Sequence, residues 1–148
     1  MGIEIARIPS PARLRADVEA IIASPAPRTF LLAWCIHGEV IGHSSLKDIL
    51  PGEFGTMHLH MWRTDLRGHG YGALLFCRSA IDFYDRFNLK RIICEPKADN
   101  ATPNRMLQKV GFPLVLNHVA ASSELTPPAE VNRYAILREI AERYLQKK

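Results

Sequence analysis

Apolar and polar residues change their spacing several times along the chain, and each change marks an element. Ile3, Ile5 and Ile8 alternate weakly and predict a short first strand. Leu14, Val18, Ile21 and Ile22 then recur at helical spacing behind Ser10-Pro11, a serine N-cap followed by proline at the first helical position. Pro25-Ala26-Pro27 ends that helix. Thr29 to His37 is β-branched and aromatic, Gly38-Glu39 makes a tight turn, and Val40 to Leu46 returns, which predicts a hairpin. Lys47 to Gly55, with Pro51-Gly52, reads as a loop. In the next strand, Thr56 to Arg63, alternation puts Thr56, His58, His60 and Trp62 on one face and Met57, Leu59 and Met61 on the other.

From Ala73 to Phe87 the period returns to 3.6. Ala73, Phe76, Cys77, Ala80, Tyr84 and Phe87 form one stripe, with Arg78, Asp82, Asp85 and Arg86 mostly opposite. After a turn at 88–90, Arg91 to Glu95 is short and apolar, as a strand buried on both faces requires. Asp99 or Asn100 caps a second helix that runs through Val110 to the stop at Gly111. A strand over 112–119, a Ser- and Pro-rich loop over 120–128, a last strand at about 131–137 and a C-terminal helix complete the pattern. Residues 131–137 also suit a helix, because Tyr134, Leu137, Ala141 and Leu145 share helical spacing. A hairpin followed by strand, helix, strand, helix and strand predicts an α/β (α+β) domain with a mixed sheet, one domain over 1–148.

Composition narrows the function classes. The chain has 148 residues, 47% apolar and 23% charged, as in an ordinary globular protein with a real core. No apolar run is long enough to span a membrane, and the N-terminus lacks the basic-then-apolar layout of a signal peptide. Cys35, Cys77 and Cys94 are odd in number, lie in apolar stretches and form no CxxC; they read as buried thiols of a cytoplasmic protein. The net charge of +4 suits an anionic ligand, but the basic residues are scattered, which argues against nucleic acid as the partner.

The candidate chemistry sits at Trp62 to Gly72, where a strand runs into glycines at 68, 70 and 72 and then into the long helix. Glycines free the backbone for positive φ, and the first N–H groups of a helix lack partners and carry the positive end of its dipole. The stretch therefore reads as a cradle for a phosphate or pyrophosphate. It is neither a P-loop, lacking the lysine, nor the dinucleotide fingerprint, whose glycine spacing differs.

Arg67-x-x-Gly70-x-Gly72 resembles the Arg/Gln-x-x-Gly-x-Gly/Ala signature of the GNAT superfamily of N-acetyltransferases. Asn100-Ala-Thr-Pro-Asn104-Arg-Met-Leu107-Gln-Lys109-Val110-Gly111-Phe112 is similar to the family's Asn-x-x-Ser-x-x-x-Leu-Glu-Lys-Leu-Gly-Phe segment, and Gly38-Glu-Val-Ile-Gly42 to its hairpin. Both look closest to the RimJ/RimL-like branch. The resemblance implies acetyl-CoA bound between two splayed parallel strands, ending near Arg63 and near Glu95. Pyrophosphate would lie on the N–H groups of Arg67, Gly68, His69, Gly70, Tyr71 and Gly72, and the pantetheine arm along Met61, Trp62 and Arg63. Asn100 matches the family asparagine that bonds the pantetheine amide, although it also reads as a plain N-cap. Asn104, in the same segment, is placed with the cofactor-binding residues.

Acyl transfer to an amine needs a neutral amine, a stabilised carbonyl oxygen and a proton for the thiolate. His60 and His58 share the strand face before the cradle and are the candidate bases, with Glu95 on the facing strand as a third. A backbone N–H around Trp62 is the candidate for the oxygen. His-x-His lacks further ligands nearby, so no metal is expected. Where many relatives carry a tyrosine acid this chain has Leu107, and where the RimJ/RimL-like branch often has serine it has Pro103; Thr102 or Tyr134 remain as substitutes. The expected activity is transfer of acetyl from acetyl-CoA to a primary amine, on a small molecule or a peptide, by direct attack in a ternary complex. The alternatives are a non-catalytic acyl-CoA-binding regulatory domain and another acyl donor such as succinyl-CoA. Family habit implies a monomer or homodimer.

Overall fold

The structure, a computed structural model, describes residues 10–121 and 127–148; the strand expected over 3–8 lies outside them. Helix α1 is Pro11–Ala23, and strands β1 (Thr29–Ile36), β2 (Glu39–Leu50) and β3 (Phe54–Met61) follow. Then come α2 (Tyr71–Phe87), β4 (Arg91–Cys94), α3 (Ala101–Val110), β5 (Leu114–Ala120), β6 (Ala129–Ala135) and α4 (Arg138–Gln146). The mixed α/β fold is as expected, and residues 131–135 are strand.

One six-stranded sheet has the order β1-β2-β3-β4-β6-β5, antiparallel except for the β3–β4 pair. The hairpin turns on His37 and Gly38, both at positive φ, one residue earlier than expected; two consecutive left-handed residues match the twist of the strands they join. The expected loop at 47–55 is mostly strand. β2 runs on to Leu50 through an irregularity after Lys47, with Asp48 at positive φ, and only Pro51–Glu53 remain as the turn.

Sheet and helices enclose one main core. From α2 it takes Phe76, Cys77, Ala80, Phe83 and Tyr84; from the sheet Leu46, Met57, Ile92, Cys94 and Tyr134; from α3 and α4 Leu107 and Ala141. Ser79 joins the buried face of α2 because its hydroxyl accepts from Trp34 Nε1 at 3.1 Å, which satisfies a buried indole N–H. Cys77 and Cys94 are buried as expected; Cys35 is exposed, because it falls on the outward face of the edge strand β1. Helix α1 forms where expected, with the Ser10 side chain accepting from the Arg13 N–H at 3.2 Å, but buries none of its residues.

Asn104 joins α3 to the sheet. Its Nδ2 donates to the carbonyls of Lys97 at 2.8 Å and Asn100 at 2.7 Å, while its Oδ1 accepts from Asn132 Nδ2 at 2.9 Å and the Tyr134 hydroxyl at 3.1 Å. All four positions of the amide are occupied, so the buried Asn104 has none left for a ligand, and its assignment to cofactor binding is corrected to a structural one. Asn104→Ala would leave several buried groups unpaired and should cost about 2 kcal/mol of stability. Urea unfolding checks the loss, and the affinity of the folded protein for CoA should stay unchanged.

Candidate active site

Strands β3 and β4 pair only at Phe54–Arg91, Gly55–Ile92 and Thr56–Ile93. Beyond Thr56 they part, β3 continuing to Met61 beside β2 while β4 turns its other edge to β6 at Ile93–Ala135 and Cys94–Tyr134. The expected splay is therefore present in the ladder. Peptide groups alternate along a strand. The Trp62 N–H donates to the Ile41 carbonyl at 2.9 Å, and the His60 carbonyl lies against Gly42, so the even-numbered groups face β2. The odd-numbered groups face β4: the Thr56–Ile93 pairing uses the Met57 N–H, and beyond it the Met57 carbonyl, both groups of Leu59 and the Met61 N–H face the gap with no strand paired to them among the described residues.

Two expectations change here. The N–H groups of Trp62 and of Arg63 both point at the Ile41 carbonyl, so neither is free for a thioester oxygen or a pantetheine amide. The free edge begins earlier than Met61, at the Met57 carbonyl, just past the last β3–β4 pairing. The Arg63 side chain is likewise engaged, pairing with Asp65 at 2.8 Å and with Glu39.

The glycine turn follows directly. A single 3-10 turn at Thr64–Leu66 leads to Gly68 and Gly70, with φ of +81° and +85° on either side of His69. Alternation of left-handed and ordinary residues turns successive N–H groups into one concavity. Helix α2 starts at Tyr71, two residues before the expected Ala73, and its first internal bond runs from the Leu74 N–H to the Gly70 carbonyl at 3.2 Å. The N–H groups of Tyr71, Gly72 and Ala73 thus have no acceptor within the helix. A Cβ on Gly68 or Gly70 would meet no atom within 4 Å, so open space lies over the turn. Arg67 Nη2 donates to the Met61 carbonyl at 2.9 Å and His69 Nδ1 contacts the Arg67 carbonyl at 3.0 Å, so the cradle is tied to the end of β3. Asn100 stands at the N-cap position of α3, exposed, with its side chain making no cap bond.

His58 and His60 do lie on the face away from α2. His60 is exposed and stacks at 5.8 Å on His43, its cross-strand partner, which in turn sits 5.6 Å from the exposed Trp62 ring. His43 was not singled out from the sequence, although the hairpin register alone places it there. Burial first, then Lys47, push the His58 imidazole down to about 4 against the opposing charges of Asp48 and Glu95. Burial, His60 and Lys47 lower His43 in the same direction. His58 is therefore neutral at physiological pH and too weakly basic to hold an ammonium proton, whereas it can accept a hydrogen bond.

Glu95 is spoken for. Its Oε1 lies 2.6 Å from His118 Nε2 and 2.6 Å from Arg133 Nε. Burial would raise its carboxyl, but the bonds from His118 and Arg133 outweigh that and hold it below the usual carboxylate range. A carboxylate so stabilised is a poor proton acceptor, and Glu95 serves instead to hold His118 and Arg133 beside the splay. His118 was missed because it lies 23 residues from Glu95 and only the order of β4, β6 and β5 brings them together.

The candidate acids fare differently. Leu107, which stands where many members of the family carry the acid and has no proton to give, is fully buried. Tyr134 is fully buried too, with its hydroxyl between Asn104 and Gln108. Thr102 is exposed in the first turn of α3. Among the described residues no three His, Cys, Asp or Glu gather as a metal would need, and no helix is long and apolar enough to cross a membrane.

A mixed sheet that opens between two parallel strands, with a glycine turn and a helix N-terminus beside the opening, defines an acyltransferase-type fold. The model of the Acetyltransferase (GNAT) family matches residues 4–112, and the chain belongs to that family. A comparison with curated proteins finds no sequence match. Among solved structures, a spermidine N-acetyltransferase SpeG chimera from Vibrio cholerae and hSSAT aligns with a TM-score of 0.73 at 17% identity, over 97% of this chain and 88% of the other. The spermidine N-acetyltransferase from Vibrio cholerae in complex with CoA and spermine aligns with a TM-score of 0.72 at 17% identity, over 91% and 79%. The aminoglycoside acetyltransferase AAC(6')-Ib, solved with coenzyme A, aligns with a TM-score of 0.64 at 16% identity, over 78% and 70%. These neighbours share the fold, and they lend no support to the RimJ/RimL-like branch.

Proposed function

We propose that this chain transfers the acetyl group of acetyl-CoA to an amine by direct attack in a ternary complex. The observation that carries this reading is the unpaired stretch of β3 edge from the Met57 carbonyl through Leu59 to the Met61 N–H, lying open beside β4 and leading into the cradle at Gly68–Ala73, with Arg67 closing its end on the Met61 carbonyl. An extended chain with two amides fits such an edge as an added strand, and a pyrophosphate fits the helix N-terminus that follows. Asn100, exposed beside the end of β4, offers an amide to the same arm. CoA and amine ligands in the names of the structural neighbours agree with this assignment.

The acceptor amine approaches from the His60 face. His60 takes its proton, directly or through water, and the neutral nitrogen attacks the thioester carbonyl, whose oxygen lies toward the gap-facing N–H groups of Leu59 or Met61. The C–N bond forms and the C–S bond breaks; the acetylated nitrogen sheds its remaining extra proton to solvent, and the thiolate takes one from solvent, because no hydroxyl acid stands at the position of Leu107. Acetyl-CoA is a co-substrate, and no metal enters the scheme.

Isothermal titration with acetyl-CoA, followed by free-thiol release against α-amines, lysyl peptides and polyamines, tests the reading. Binding with thiol release that depends on an amine supports it. Binding without release from any amine would replace it with a non-catalytic acyl-CoA-binding domain, and absence of binding would overturn it. His60→Ala should lower turnover tenfold or more with little change in acetyl-CoA affinity; an unaltered pH–rate profile in that variant removes His60 as the base.

A further inference from the structure

On the helical side of the molecule, where α3 and α4 both end, lies a hollow of about 360 Å³. Lys109, Arg143, Lys147 and Lys148 line it, with Tyr144 and Gly111 between them, and no carboxylate is among its lining residues. Among the described residues none of these four cations forms an ion pair. A second hollow, of about 400 Å³ at the opposite end of α4, shows the contrast. It carries Asp85 and Glu139 against Lys90 and Arg138, and Arg138 pairs with Asp85 at 2.6 Å.

Cations at helix C-termini ordinarily offset the helix dipole, so that explanation must be weighed first. Each C-terminus carries about half a negative charge, and two helices therefore account for roughly one of the four positive charges. The end carbonyls need no cation as a partner either. Those of Leu107, Gln108, Tyr144 and Leu145 already accept from backbone N–H groups of Gly111, Phe112, Lys147 and Lys148. About three unmatched positive charges remain around one concavity, where their mutual repulsion is relieved by a bound anion. Lys109 and Arg143 come from different helices, so the charges converge from two directions instead of running along one solvated face.

We propose that this hollow binds a phosphate group. A doubly charged oxyanion offsets most of the excess charge, and an arginine fork with flexible lysines is the donor set such groups take. The phosphate has two possible sources, the ribose phosphate of CoA itself and a separate phosphate-bearing ligand. The first rests on the function proposed above; the second does not.

The test begins with inorganic pyrophosphate titrated into the full chain and followed by backbone amide NMR shifts. Saturable shifts are expected at Gly111 and at 144–148, separate from any at the Gly68–Ala73 cradle, and Arg143→Glu with Lys147→Glu should weaken them about tenfold or more. Arg143→Gln serves where charge reversal disturbs α4. Linear, unsaturated shifts, or shifts that survive the charge reversal, would overturn the proposal. Acetyl-CoA and 3'-dephospho-acetyl-CoA then separate the sources. An affinity difference between them that vanishes in the double variant assigns the hollow to the CoA ribose phosphate. Equal affinities, with pyrophosphate binding retained, assign it to a separate ligand. Failure of acetyl-CoA to bind at all, with the pyrophosphate shifts intact, counts against the acetyltransferase reading and not against the hollow.

Discussion

Gly70→Val is expected to weaken acetyl-CoA binding by about a hundredfold or more while leaving the fold in place. Gly70 sits at φ +85°, a conformation that a β-branched residue adopts only at a cost of about 1–3 kcal/mol. An added Cβ would meet nothing within 4 Å, so the site is glycine for its backbone and for the space above it, not for packing. Gly70 immediately precedes the N–H groups of Tyr71, Gly72 and Ala73, which have no acceptor within the helix, so an isopropyl group at this position is expected to crowd a pyrophosphate held by them. The control is Gly52→Val, which imposes the same kind of strain at φ +77° in the turn after β2, also with open space around it. If the cradle assignment holds, the two variants lose similar stability in thermal unfolding and only Gly70→Val loses acetyl-CoA in isothermal titration. Equal affinities in both variants would remove the glycine turn from the binding site.

The cradle was legible because its chemistry is local. Three glycines, a strand before and a helix after all lie within about a dozen residues, and the physics of helix N-termini supplies the rest. The helix ends were legible for the same reason: Ser10 caps α1, and Gly111 takes the left-handed conformation, φ +102°, that ends α3. Where the reading went astray, the deciding fact was pairing between distant strands. Lys47 and Asp48 looked like loop because they are charged, yet Lys47 is the outward-facing partner of Thr56 on a half-exposed sheet. Cys35 looked buried because its neighbours are apolar, but β1 is an edge strand with one face uncovered. Trp62 and Arg63 seemed the natural partners for a pantetheine chain until the β2–β3 register showed their N–H groups turned to Ile41. Asn104 and Glu95 carried the right chemistry for a site, and the order of β4, β6 and β5 supplied them with partners that consume it.

That same register bears on how the protein responds to acid. The His58 imidazole is held near 4 in the folded chain, against an ordinary value of 6.5, by burial first and then by Lys47, with Asp48 and Glu95 opposing. The folded state therefore binds fewer protons here than the unfolded state at mildly acid pH. The stability this confers is full above pH 6.5 and is lost as pH falls toward about 4, with a ceiling of about 3 kcal/mol. His43, lowered by burial, His60 and Lys47, adds to the loss in the same direction. Glu95 also lies below its ordinary value of 4.5, so its own contribution starts to fade only near and below that pH. The window between pH 6.5 and 5 thus belongs mainly to the imidazoles. Urea unfolding at pH 7.5, 6 and 5 should show falling stability in the native protein, and a distinctly shallower fall in His58→Gln, which cannot titrate. Parallel slopes in the two proteins would mean that His58 is protonated as readily in the fold as out of it. A shallower slope would establish that His58 is neutral in the fold at physiological pH, the state the proposed mechanism requires of it.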